Sequence, residues 1–557
     1  MHRRETAHLP CISIFIASVL CLGEPSEAQA PFTEEGLLRG INYVTMDQFP
    51  NASHGKGLAF ADLDGDGDAD LVALGSSNGV VGIFANDGNG FFEDRSLTSA
   101  IPSVGNASAV TAADYDGDGD LDLYLANYWQ PNLLLRNEGG LVFSNVTATA
   151  GVGDPGAGVG CAWGDYDSDG WLDLYVANYL DGGGQAPNEN RLYHNLGDGT
   201  FEEVSSALGV QDQGAPTFQP IFFDFDWDAD ADLYLSTDKG YFGMGWQNHL
   251  FENMGGTFVE ISAASGTGAE INSMGVAVGD LDGNGFQDLY CTNTTEGNPL
   301  YLNQGDGTFL ESSAQAGVQS SGVGWGTLFF DYDNNSWLEL YVCNAGAANG
   351  LFVCNGTWPC VDVAAMLGVA DQAPSFALAA ADIDNDGDLE LAVQNRNDRV
   401  RLYVNQEGQS RNWAKFRVIG QAPNHFAIGA HLALRIGSMW QHREIFGGGN
   451  YKSQNELTVH FGLEAAELVD ELVVTWPGGT SRTLAGLAAN RTCFVVPPEA
   501  LGDMDGDGLI GVDDVGPFVE ALLAEDENPV VSAHADFNGN GFPDGGDIQP
   551  FLVALVP

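Results

Sequence analysis

The sequence predicts a mainly β protein: a seven-bladed β-propeller, then a small β domain, then a short α-helical module at the C-terminus. Three observations predict it. An acidic loop of the form D-x-D-x-D-G-x-x-D is written seven times, starting at Asp62, Asp114, Asp165, Asp224, Asp280, Asp331 and Asp382, with spacings of 52, 51, 59, 56, 51 and 51 residues. A period near 50 marks a propeller or solenoid unit rather than a chance acidic run. Short β-rich runs flank each copy, separated by Gly/Asn/Asp turns that imply antiparallel hairpins. After residue 410 the repeat stops and the charge balance reverses.

The first element is a leader. Residues 1–28 read as a secretory signal peptide: Arg3 and Arg4 give a basic start, and Cys11 to Gly23 is an apolar stretch of 13 residues, too short to span a bilayer. Pro31 disfavours a cut after Ala30, so cleavage is expected after Ala28. Leu20 before Cys21 argues against a lipoprotein anchor, and no other segment approaches transmembrane length. The expected location is secreted, extracellular or at the cell surface. Such a compartment permits disulfides. Of the six remaining cysteines, Cys354 and Cys360 flank a predicted hairpin turn and form the favoured pair.

Residues 31–410 carry the seven blades. In each unit an apolar run precedes the loop (Gly57–Ala61), a second follows it (Asp122–Ala126), a third ends in an Asn-Gly-type turn (Arg191–Asn195), and a fourth opens as Thr200-Phe201-Glu202. The seventh unit lacks a clear fourth strand after Asn405. Phe32-Thr33-Glu34-Glu35-Gly36-Leu37 resembles Phe201-Glu202-Glu203-Val204, so residues 32–45 are expected to complete the last blade and leave no open edge.

Carboxylates this close repel one another unless a cation sits among them. The spacing resembles the start of an EF-hand loop, in which alternate side chains and one backbone carbonyl converge on Ca²⁺. On that pattern the candidate ligands are Asp62, Asp64, Asp66, Asp68 and Asp70; Asp114, Asp116, Asp118, Asp120 and Asp122; Asp165, Asp167, Asp169, Trp171 and Asp173; Asp224, Asp226, Asp228, Asp230 and Asp232; Asp280, Asp282, Asn284, Phe286 and Asp288; Asp331, Asp333, Asn335, Trp337 and Glu339; and Asp382, Asp384, Asp386, Asp388 and Glu390. The seventh-position residue of each set offers its backbone carbonyl. Position 6 favours glycine because a positive φ is needed there. Ala229 and Ser336 break that preference and mark the two weakest loops. Up to seven Ca²⁺ are expected here, in a mainly structural role. The loops look like the FG-GAP/VCBS repeats of integrin α-subunit propellers and their bacterial relatives, a resemblance covering residues 32–410.

The chain has 77 acidic and 19 basic residues, a formal charge of −58. Nine bound Ca²⁺ would return +18 and leave it near −40. That surface argues against nucleic acid and anionic membranes as partners.

Residues 411–497 hold eight basic and six acidic residues and no repeat loop. Strand-like runs are Trp413–Ile419, His431–Ile436, Glu456–Phe461 and Leu472–Trp476. His425, His431, His442 and His460 lack metal-ligand spacing, and Gly447-Gly448-Gly449 reads as a tight turn rather than a nucleotide-binding loop. Arg443–Gln454, His460-Phe461-Gly462-Leu463 and Val469–Gly479 match the wording of ASPIC/UnbV domains, which follow FG-GAP repeats in the family that includes cartilage acidic protein.

After a Pro497-Pro498 linker come two further acidic loops, 33 residues apart. Their candidate ligands are Asp503, Asp505, Asp507, Leu509 and Asp514, then Asp536, Asn538, Asn540, Phe542 and Asp547. An apolar helix is expected after each, with Pro517 and Pro550 in the first turn, where a missing N–H does no harm. No entering helix is expected. Asp at position 12, the tandem copy and the short helices resemble a type I dockerin, covering residues 498–557. That resemblance implies two more Ca²⁺ and a cohesin-like scaffold or cell-surface protein as partner.

Two functions fit. The leading one is a secreted, calcium-binding repeat protein acting in extracellular binding or adhesion to a glycan or protein ligand, tethered by its tail. The alternative is an extracellular carbohydrate-active enzyme, a polysaccharide hydrolase or lyase. The clustered carboxylates are already accounted for as metal ligands, which favours binding over catalysis, and no catalytic residue is named.

Overall fold

The computed structural model describes residues 30–46, 54–179, 189–239, 245–320, 322–504, 510, 514–523 and 529–555. The expected signal peptide, residues 1–28, and the candidate ligands Asp505, Asp507 and Leu509 lie outside the described residues.

Seven four-stranded antiparallel sheets follow one another along residues 33–404. Their innermost strands are Leu58–Ala61, Ala107–Ala113, Gly158–Gly164, Thr217–Phe223, Val276–Gly279, Val323–Phe330 and Ser375–Ala381. Most of these residues and nearly all of those on each second strand are buried, because neighbouring sheets cover both faces. This is why they read as near-continuous apolar runs rather than alternating ones. Each acidic loop joins the first strand of a sheet to its second. The inner strand of the seventh sheet lies against that of the first, so the array closes into a propeller-like ring.

The N-terminal segment completes the last sheet as expected. Thr33 pairs with Val404 and Glu34 with Tyr403, and an isolated bridge joins Val44 to Arg399. An asparagine ending the third strand ties most sheets to the one before. The amide nitrogen of Asn137 donates to the Leu63 carbonyl (2.7 Å), that of Asn195 to Tyr115 (2.9 Å), Asn253 to Tyr166 (2.7 Å), Asn303 to Phe225 (2.8 Å), Asn405 to Tyr332 (2.7 Å) and Asn86 to Ile383 (2.8 Å). In the sixth sheet Cys354 takes this place and is disulfide-bonded to Cys360. The cysteines at 161, 291, 343 and 493 are free and buried.

The second unit is a β structure of three small sheets. Asn412–Val418 pairs antiparallel with Val459–Glu464 and parallel with Thr492–Val495. His431–Ile436 pairs with Met439–Glu444 and Glu471–Thr475. The Glu456–Phe461 run is displaced: its strand begins at Val459, because Gln454 to Glu456 are bonded to the repeat sheets instead. Met439–Glu444, where the sequence shows no strand signal, is a full strand.

At the C-terminus, helices Val515–Leu523, Pro529–Ala535 and Ile548–Leu555 gather around Phe518, whose ring stacks on Phe551 at 3.8 Å. The middle helix enters the loop at Asp536 directly, correcting the expectation of no entering helix. The second loop also docks on the β unit: Ala485 N–H donates to the Gly539 carbonyl (3.0 Å), and Arg491 lies 4.0 Å over the Phe542 ring.

Candidate metal centres under a basic cap

All seven repeat loops close in the same way. The position-6 N–H donates to Oδ2 of the position-1 aspartate: Gly67 to Asp62 (3.0 Å), Gly119 to Asp114 (3.0 Å), Gly170 to Asp165 (2.9 Å), Ala229 to Asp224 (2.9 Å), Gly285 to Asp280 (3.0 Å), Ser336 to Asp331 (2.8 Å) and Gly387 to Asp382 (3.0 Å). The required left-handed backbone is met even by Ala229 (φ 73°) and Ser336 (φ 76°). The two departures therefore do not open their loops. Ser336 also gains a bond that glycine lacks, from its hydroxyl to the Gly462 carbonyl (3.0 Å).

The position-9 carboxylate is the buried anchor. Asp70, Asp122, Asp173, Asp232, Asp288, Glu339 and Glu390 are at most 1% exposed. Each accepts an N–H from loop position 2, as Asp70 does from Leu63 (3.0 Å), and all but Glu339 accept a second from the end of the third strand, as Asp70 does from Asn86 (2.9 Å).

What remains in each loop is an acceptor with nothing to accept. One buried carboxylate oxygen per loop has no hydrogen-bond partner at position 1 or 3: Oδ1 of Asp62, Asp116, Asp167, Asp226, Asp280, Asp333 and Asp384. Buried polar atoms are rarely left so. Sets such as Asp62/Asp64/Asp66, Asp114/Asp116/Asp122, Asp165/Asp167/Asp169 and Asp224/Asp226/Asp232 bring one oxygen each to within 4.8 Å of one another. Without an ion the protein resists this charge. Burial, with neighbouring carboxylates adding to it, pushes Asp70 up to about 8, Asp122 to about 9, and Asp165 and Asp224 to about 7. The residues present fit a hard, oxygen-seeking divalent cation.

The C-terminal loop at Asp536 repeats the closure, Gly541 N–H to Asp536 Oδ2 at 3.0 Å, and Asp547 accepts from Asn538 (2.8 Å). In its partner, Met504 N–H donates to Asp514 (2.6 Å).

Sequence reasoning did not find His194. Its Nδ1 lies 3.2 Å from Asp173 and 3.4 Å from Asp167, and hydrogen bonding to Asp173 raises its pKa to about 9. The signal was available in Tyr193-His194-Asn195, one strand away from the third loop.

The β unit lies over the loops, and its positive residues meet their carboxylates. Lys415 Nζ is 2.9 Å from Asp382, Arg417 3.2 Å from Asp62, His425 Nδ1 2.7 Å from Asp114, and Arg411 2.9 Å from Asp333. Glu444 accepts the Asp224 N–H at 3.2 Å. The four histidines do not converge. His425 sits at loop two and His460 bonds the Gly387 carbonyl of loop seven, while His431 and His442 bond each other at 3.1 Å beside Trp227 of loop four.

The segment Gly447–Glu456 is more than a tight turn. It folds back on itself through a Gly449–Ser453 bridge and enters the ring of inner strands. Trp163 N–H donates to Gly447 (2.9 Å), Val276 to Asn450 (2.8 Å), Val110 to Lys452 (3.2 Å) and Phe60 to Gln454 (3.1 Å); Glu456 donates to Ala380 (3.2 Å). Lys452 N–H reaches Gln219 (2.6 Å), and Tyr451 packs against Phe218 and Trp325. A Cβ on Gly447 would sit 2.5 Å from the Trp163 carbonyl oxygen, and one on Gly448 2.7 Å from Thr111. These glycines serve close approach to the inner strands.

A family model described as FG-GAP-like repeat matches residues 62–125, 114–176, 238–291 and 280–342, and one described as ASPIC and UnbV matches residues 420–501. Cartilage acidic protein 1 of Mus musculus is 26% identical over 500 residues, 80% of this chain and 74% of that protein. Its counterpart in Xenopus tropicalis is 27% identical over 468 residues, 76% of this chain and 70% of that one. Among solved structures, YCF48 from Cyanidioschyzon merolae aligns at TM-score 0.40 and 12% identity over 68% of this chain and 100% of that chain. Rhamnogalacturonan lyase PL11 of Bacillus licheniformis aligns at TM-score 0.37 and 13% identity, over 68% and 76%. The chain carries FG-GAP-like repeats followed by an ASPIC and UnbV domain, and over most of its length it is similar to cartilage acidic protein 1.

Proposed function

We propose that this chain is a secreted calcium-binding protein whose seven sheets form a closed seven-bladed propeller acting in extracellular binding or adhesion. The observation that carries the calcium reading is the repeated unpartnered carboxylate oxygen at position 1 or 3, one in every loop, with both oxygens of Asp388 unpartnered besides in loop seven. Ca²⁺ bound there would be structural. It would neutralise the loop and hold the turn between two strands, stabilising the folded state by linkage. Positions 1, 3, 5 and 9, with the backbone carbonyl of position 7, would hold it.

The ASPIC/UnbV domain covers the loop-bearing face, which leaves a macromolecular ligand the seam between the domains, the outer edges and the opposite face. The C-terminal module supports tethering. Val519 (44% exposed), Leu523 (80%), Ile548 (43%) and Leu552 (48%) leave apolar side chains of two helices uncovered, a surface suited to a cohesin-like partner. The loop carboxylates are committed to backbone N–H groups and to the cap, which favours binding over polysaccharide hydrolysis or lysis.

The test is binding of the purified mature chain to arrays of glycans and extracellular proteins, with calcium and with chelator. Capture that chelator abolishes supports the reading. Chelator-insensitive capture, or sugar release from polysaccharide, overturns it.

A further inference from the structure

We propose that the cleft between repeat loops five and six and the hairpin 431–444 of the second domain is a binding site for a neutral hexose unit of a glycan. The inference rests on the binding reading above and names its ligand class. The cleft encloses about 280 Å³, with Trp337, Trp440, His442, Asn284, Ser438 and Met439 among its walls.

The shape of the site follows from the strand that carries it. Trp440 and His442 are two residues apart on Met439–Glu444, so both project from one face. Their rings lie 6.3 Å apart at 37°. Trp337 comes from the other side, at position 7 of loop six. Each ring is held in place before any ligand arrives. Trp337 is wedged over two glycines: a Cβ on Gly283 would meet its indole at 2.9 Å and one on Gly356 at 2.4 Å. His442 is bonded to His431 (3.1 Å) and stacked with it at 5.2 Å, and His431 stacks on Trp227 at 3.6 Å. Arg435 lies 5.6 Å over Trp440 and is itself paired to Glu471 at 2.8 Å. Rings fixed in advance cost little ordering on binding.

Charge selects the class of ligand. In a chain of net charge −58, the cleft is lined by no carboxylate, lysine or arginine. Burial, with Arg443 beside it, lowers the His442 pKa to about 4, so that ring is uncharged near neutral pH. A cationic ligand would find no counter-charge on the walls. An acidic sugar would meet the field of the surrounding loops, and the cation over Trp440, Arg435, is already paired to Glu471 at 2.8 Å. A neutral sugar ring, with one apolar C–H face and a rim of hydroxyls, matches flat indoles flanked by the Ser438 hydroxyl and the His442 imidazole.

The test uses the full mature chain in calcium. Tryptophan fluorescence and calorimetry follow titration with neutral hexasaccharides of glucose, mannose and galactose, with oligogalacturonate and with choline. At least one neutral hexasaccharide is expected to bind saturably. Trp440→Ala, at a 37% exposed side chain, weakens that binding at least tenfold without shifting the melting temperature. Trp337→Phe, which keeps a ring over the glycines, weakens it less. The inference is overturned if no neutral hexasaccharide binds at millimolar concentration, if Trp440→Ala leaves affinity unchanged, or if oligogalacturonate or choline is the Trp440-dependent ligand. Chelator-sensitive capture of another ligand on the arrays, with no neutral saccharide bound, overturns this site and leaves the binding reading standing.

Discussion

Lys415 Nζ lies 2.9 Å from Asp382 Oδ2, the first carboxylate of the seventh loop, and both side chains are at most 3% exposed. The same Oδ2 accepts the Gly387 N–H that closes the loop (3.0 Å). One atom therefore links the loop's backbone to the cap. Removing one partner of a buried ion pair strands the other. Lys415→Met is expected to cost about 3 kcal/mol of stability, read by urea unfolding in calcium. A loss below about 1 kcal/mol, the range of an exposed pair, would contradict it.

The inserted segment fits without room to spare. A Cβ on Gly57 would stand 1.9 Å from the Lys452 carbonyl oxygen. Gly57→Ala should displace the segment and destabilise the chain by roughly 1–3 kcal/mol, the usual cost of overpacking. Limited proteolysis should cut within residues 446–456 in this variant and spare the parent. Equal resistance in both would show that the segment is not held by the ring.

The asparagine ties predict a cost at each seam. Asn137 gives its amide hydrogens to the Leu63 and Leu121 carbonyls (2.7 and 3.1 Å), and Ala at 137 leaves both buried without them. A loss of about 2 kcal/mol is expected. In sheet six, Cys354 occupies that position and closes a loop of sequence separation 6. Replacing both cysteines by serine should cost about 2 kcal/mol on the chain-entropy account. A smaller loss from either change, read by denaturant titration, would remove the equivalence.

His54 lies among Tyr179, Phe218 and Trp325 at the tip of the inserted segment, and Tyr451 donates its hydroxyl hydrogen to the His54 carbonyl at 2.8 Å. Burial, then the charges of Lys452 and Lys56, lowers its pKa to about 3. The unfolded chain takes up this proton first, near the ordinary 6.5. The stability His54 contributes is therefore present above 6.5 and is lost as pH falls toward 3. At pH 5 the loss is at most about 2 kcal/mol. Unfolding at pH 7 and pH 5 should show a shallower decline in His54→Phe than in the parent. Parallel declines would contradict the shift.

Much of the repeat region was legible because its signals are local and periodic. The D-x-D-x-D-G spacing locates every loop, and Phe32–Leu37 reads as the strand that completes the seventh sheet. Ala229 and Ser336 were legible as departures, but not as loops that close regardless, because that depends on a backbone bond to the residue five positions earlier. The role of Gly447–Gly449 was not legible. Three glycines look alike in a turn and in a segment pressed against Trp163 and Thr111, and only the partners, some 280 to 340 positions away, separate the two. For the same reason Lys415, Arg417 and His425 read as a mild positive excess rather than as contacts to three particular aspartates.

The most direct measurement is calcium binding itself, by calorimetry and metal analysis of the purified chain, with thermal unfolding in calcium and in chelator. The account predicts several ions per chain, up to seven in the repeats and two at the C-terminus, and a melting temperature that rises with free calcium as linkage requires. A chain that binds no calcium, with the same melting temperature in chelator, would contradict it.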